Sequence, residues 1–88
     1  MKRVVNVTEV EGDGLESLLG KKVMIMCCRY SYSGILVGIN DDCICLEKPA
    51  VVYETGPWSA EKWKDEQPMG VEELFVQKAA IEAFMVGK

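Results

Sequence analysis

The chain has 88 residues, of which 49% are hydrophobic and 27% charged, with a formal charge of −4 and no histidine. That length holds one domain, residues 1–88, with a small core that commonly needs help from oligomerisation, metal or disulfides. The acidic balance argues against a whole-chain basic face for nucleic acid, and the missing histidine removes the commonest general base.

Met1–Val10 reads as an extended arm carrying Val4, Val5, Val7 and Val10, and the arm as a whole is assigned to residues 1–12. Gly12-Asp13-Gly14 is a turn signal. Leu15, Leu18 and Leu19 at helical spacing predict a short helix, capped by Asp13 and ended by Gly20. At about one and a half turns, it depends on packing to form.

Lys22–Cys28 is predicted as the first strand. Val23, Ile25 and Cys27 fall on one face and Met24, Met26 and Cys28 on the other. A strand apolar on both faces is usually covered on both. The helix, the arm or a neighbouring subunit are the candidate second covers. A turn over Arg29–Ser31 leads to a second strand, Tyr32–Ile39. Its glycines, Gly34 and Gly38, lie on one side and let the sheet curl. Asn40-Asp41-Asp42 is a turn whose side chains bond their own backbone. Cys43–Glu47 is a third strand, with Ala50–Thr55 as its continuation past Pro49.

Gly56–Gly70 breaks this pattern and reads as a long loop excursion, with Ser59 capping a short helix through Lys64. Its tryptophans, Trp58 and Trp63, argue against disorder. Val71–Val76 is a fourth strand, Gln77-Lys78-Ala79 a tight junction and Ala80–Val86 a fifth strand. The predicted fold is mainly β: a short N-terminal helix followed by a strongly bent five-stranded antiparallel barrel.

Residues 41–75 carry nine acidic and three basic side chains, and this run reads as a solvated face. Cys27, Cys28, Cys43 and Cys45 lack the paired spacing of a zinc ribbon. Cys28, Cys43 and Cys45 are the alternative ligand set. The expectation is reduced thiols serving as small apolar residues in a cytoplasmic protein, with no metal and no cofactor. Met1–Lys21 lacks the apolar run of a secretory signal. No segment approaches the roughly 20 apolar residues that span a bilayer, so no membrane partner is expected. Asp41-Asp42 is the one candidate carboxylate pair for catalysis. Adjacent carboxylates in a turn point apart, so no enzyme activity is expected. Tyr30 and Tyr32 share one side of a strand, where they either stack bases or cover the core.

Leu18-Leu19-Gly20-Lys21, the apolar strand Val23 to Cys28, and Gly34-Ile35-Leu36-Val37-Gly38-Ile39-Asn40 together resemble the Sm-like (LSm, Hfq-type) family. The likeness is strongest over Leu15–Leu46 and weak over Leu74–Phe84. It implies a bent five-stranded barrel in which the fourth strand of one subunit pairs with the fifth of the next. Rings of roughly six or seven subunits follow, with head-to-tail contacts. The final strand has one charge, Glu82, and no proline to guard its edge, which fits such pairing. Ile81 and Phe84 are its candidate contact residues. An SH3-like barrel is the rival fold.

In that family, single-stranded RNA binds loops at the pore. The first loop supplies an aspartate, a stacking side chain and an asparagine; here those positions hold Asn40, Asp41 or Asp42, and Cys43 or Ile44. The second loop reads Arg-Gly; here it reads Gln77-Lys78 or Lys78-Ala79. The resemblance thus implies Asn40, Asp42, Cys43, Gln77 and Lys78 as RNA contacts, without an aromatic stacker and with a lysine for arginine. The alternative is a structural or protein-interaction ring that lost RNA binding. A protein partner would then meet the 56–70 loop through Tyr53, Trp58 and Trp63, unless these pack within their own subunit.

Overall fold

The two apolar faces of residues 22–27 demand cover on both sides, and a computed structural model of the chain, describing residues 14–88, shows its source. Six strands form one antiparallel sheet: β1 (Lys22–Cys27), β2 (Ser31–Ile39), β3 (Cys43–Glu54), β4 (Asp65–Pro68), β5 (Glu73–Gln77) and β6 (Ile81–Val86). The order is β4-β3-β2-β1-β6, with β5 also paired to β3. β3 is long enough to take two partners in succession. Cys43–Glu47 pair with β5, and residues 50–54 pair with β4.

One face of β1 places Val23 and Ile25 in the main core with Leu36, Ile44, Leu46 and Val76. The other face buries Met24 beneath Val52 and Trp63, with Met26 and Met85 alongside. The second cover therefore comes from the 56–70 segment.

Chain connectivity forces the sheet to roll. β5 and β6 are consecutive strands joined by one 3-10 turn, Lys78–Ala80, yet they lie four strand spacings apart along β5-β3-β2-β1-β6. Laid flat at ~4.8 Å per spacing, that separation is about 19 Å. The four Cα steps from Gln77 to Ile81 reach at most ~15 Å when fully extended, and a 3-10 turn rises only ~2 Å per residue. Only a curled sheet brings the two ends within that reach.

Gly34 sits at the bend. The β2–β3 register slips between Ser33 and Ile35, opposite Lys48–Pro49, and again between Leu36 and Gly38. A Cβ on Gly34 would lie 3.1 Å from the Glu47 carbonyl oxygen and 3.1 Å from the Leu46 Cβ. Neither neighbour is the end of a flexible side chain. Gly34→Ala is expected to destabilise the fold by about 1–3 kcal/mol, as overpacking does, read as a lower urea midpoint. Lys48, on the facing bulge, has φ 51° and marks the switch of β3 from β5 to β4.

Several expectations are corrected. The five-stranded barrel is an open six-stranded sheet. The 3-10 turn carries the chain around a corner from one sheet end to the other, so β5 and β6 do not zip together. The added strand is β4, which lies inside the supposed loop excursion and pairs Pro68, Gln67 and Glu66 with Ala50, Val51 and Val52. The helix expected from Ser59 is replaced by turns and bends.

The N-terminal helix is a single 3-10 turn, Leu15–Leu18, flanked by Gly14 at φ 77° and Gly20 at φ 84°. Left-handed glycines at both ends leave room for one turn only. Leu15 and Leu18 pack on the main core, while Leu19 is exposed. The arm 1–12 and the Asp13 cap lie outside the described residues. Among the described residues, no helix is long and apolar enough to cross a membrane.

The acidic run is not wholly a solvated face. The Glu66 carboxylate on β4 accepts a hydrogen bond from the buried Ser33 hydroxyl and lies 3.3 Å from the Lys22 ammonium. Glu66 thereby ties β4 to both β1 and β2.

Candidate functional site

The β2–β3 turn is built by Asn40. Its side-chain oxygen accepts hydrogen bonds from the backbone N–H groups of Asp42 at 2.7 Å and Cys43 at 2.8 Å. Its own N–H donates to the Cys43 carbonyl at 2.9 Å. The second predicted loop lies directly against this turn. The Lys78 N–H donates to the Asp42 carbonyl at 2.8 Å, and Cys43 faces Gln77 across the β3–β5 pair. Asn40, Asp42, Cys43, Gln77 and Lys78 are thus brought together on one lip, all exposed except the half-buried Cys43.

The lip offers the Asn40 and Gln77 amide groups and one ammonium, Lys78, beside the exposed carboxylates of Asp41 and Asp42. The oxygen of Asn40 is committed to the turn, which leaves its NH2 group to face outward. Such a set can hydrogen-bond base edges and meet one phosphate, but it holds no ring for stacking.

Beside the lip lies a cleft of about 440 Å³ whose walls include Cys27, Tyr30, Tyr32, Phe75, Gln77 and Ala80. Tyr32 packs against the main core, whereas Tyr30 is half exposed, with its ring centroid 6.3 Å from that of Tyr32. Burial, then the neighbouring Cys27 and Tyr30, pushes the Tyr32 phenol up. Burial, reinforced by Glu82, pushes the Cys27 thiol up. The Cys45 thiol rises through burial first and the nearby Glu73 second.

These shifts share one sign. The folded state holds protons that the unfolded chain releases near pH ~8.5 for thiols and ~10 for tyrosine. Above about pH 8.5 the unfolded state binds fewer protons, so stability falls as pH rises. Urea midpoints are expected to drop between pH 7 and pH 10, less steeply in Cys45→Ala.

The remaining predicted residues divide. Tyr53 and Trp58 are exposed, Phe84 is 39% exposed on β6, and Ile81 is half-buried against the main core. Trp63, read either as a partner contact or as packing within its own subunit, is buried at 5% exposure, because the turns after Thr55 fold its ring onto Met24. Cys28, Cys43 and Cys45 form no ligand set. Among the described residues, no group of three or more cysteine, aspartate or glutamate side chains is placed to hold a metal.

Phe75 was missed by the sequence reading. It is 64% exposed on the outer strand β5. The period-two pattern carries the signal: Leu74 and Val76 pack inward, so Phe75 must point out. No family model, no curated protein and no solved structure matches the chain.

Proposed function

We propose that the chain is the subunit of a cyclic homo-oligomer of the Sm-like type, whose ring presents the Asn40–Lys78 lip to single-stranded RNA. The observation that supports this most is the fate of the last two strands. β5 and β6 are consecutive, occupy opposite outer positions of one curled sheet, and do not pair with each other. Each also exposes apolar side chains, Phe75 on β5 and Phe84 and Val86 on β6. Among the described residues the outer edges of β5 and β6 have no partner strand, and edges with apolar flanks are templates for another chain. Pairing β5 of one copy with β6 of the next is a head-to-tail contact, which closes into a ring.

The RNA part rests on the lip. Repetition around a ring turns one lysine and two amides into a circle of weak contacts acting together. Light scattering tests the assembly, with a mass of about six or seven subunits expected; a monomer at all concentrations overturns it. A labelled single-stranded oligomer tests the lip: it is expected to shift at low salt, less so at high salt, and to lose the shift in Lys78→Ala.

A second reading is a ring that contacts protein. Asp41 and Asp42 place two exposed carboxylates on the lip, and Tyr53 and Trp58 stand 59% and 56% exposed. Retention of the ring mass with no oligomer shift at any salt would favour this reading.

A further inference from the structure

Trp58 and Trp63 meet edge to face, with ring centroids 5.6 Å apart and an interplanar angle of 89°. The Lys88 ammonium lies 4.4 Å from the Trp63 ring centroid and donates a hydrogen bond of 2.6 Å to the Trp58 carbonyl. A cation over an indole face, with a carbonyl accepting one of its protons, is a built ammonium site. We propose that this corner is a lysine-binding site, occupied in cis by Lys88 and open to a lysine side chain of a second polypeptide when Lys88 swings away.

Three observations carry it. A protonated primary amine meets both halves of the site, the carbonyl through an N–H and the ring through its charge, whereas a quaternary amine has no N–H for the carbonyl and binds more weakly. Lys88 is anchored locally: the Gly87 N–H donates to the Lys22 carbonyl at 2.8 Å, so movement of the Lys88 side chain alone opens the site. Lys88 is half-buried and Trp58 exposed, so the corner is reachable from solvent.

Self-occupancy lowers apparent affinity by the fraction of time the site is free. Both tryptophans of the chain lie at the corner, so intrinsic fluorescence reports it directly. The probes are n-butylammonium chloride, tetramethylammonium chloride and sodium chloride at equal ionic strength. Lys88→Ala is expected to give a saturable change with n-butylammonium at about tenfold lower concentration than the unsubstituted protein. Tetramethylammonium is expected to give a weaker change than n-butylammonium. Lys88→Met, which keeps the stem, repeats the test should the alanine variant misfold.

In the unsubstituted protein, the Lys88 ε-methylene resonance is expected upfield from ring current and to return downfield as n-butylammonium saturates the site. Equal half-saturation with and without Lys88, equal response to tetramethylammonium, or an unshifted methylene resonance would overturn the proposal. None of these readouts depends on ring assembly or on RNA.

Discussion

If the chain forms the proposed ring, Phe75→Glu is expected to reduce it to a single 9.8 kDa chain without unfolding it. Phe75 is 64% exposed, so the chain itself loses little, within about 0.5 kcal/mol as for other surface changes. The edge loses far more. β5 turns Glu73, Phe75 and Gln77 outward, and a second carboxylate two residues from Glu73 replaces the apolar contact with repulsion. Val86→Asp on β6, 57% exposed, is expected to act from the complementary side. Light scattering gives the mass and circular dichroism the fold. An unchanged mass in both variants would remove these two edges from the interface.

Trp63→Ala is expected to have the largest effect on stability. Aromatic-to-alanine changes in cores cost about 3–5 kcal/mol. Domains hold roughly 0.05–0.15 kcal/mol per residue, so the loss is a large share of the whole. Trp63 covers Met24 and roots the 56–70 segment, so its removal frees β4 as well as opening a cavity. Trp63→Phe should cost less. It keeps most of the ring volume and discards a buried Nε1–H that has no hydrogen-bond partner among the described residues, a group costing about 1–3 kcal/mol to bury. Thermal melts of the two variants check the order; a milder loss in alanine than in phenylalanine would contradict the packing described.

The central strands were legible because their causes are local. The short apolar run of Lys22–Cys27 between turn signals and the turn chemistry of Asn40-Asp41-Asp42 each point to one conformation. Gly34 and Gly38 marked the places where the β2–β3 register slips. The two loops proposed as one site do meet, through the Lys78 to Asp42 bond.

What stayed hidden depends on distant partners. Asp65-Glu66-Gln67-Pro68 has no strand-forming composition and becomes β4 only because the far half of β3 offers an edge. Glu66 looked like any member of a charge run until Ser33 and Lys22 were brought to it. Trp58 and Trp63 are chemically alike, and only the path of the chain decides that one is buried and the other exposed.

The pairing of Val23 with Val86 has a kinetic corollary. The earliest of the described strands finds this outer neighbour only after the four strands between them have emerged from the ribosome. Until then β1 is paired only with β2 and its other edge stands without a partner strand, and contacts so remote along the chain slow closure toward the millisecond-to-second range. A nascent polypeptide stalled before Ile81 should therefore clump or recruit a chaperone, whereas one released past Val86 should not.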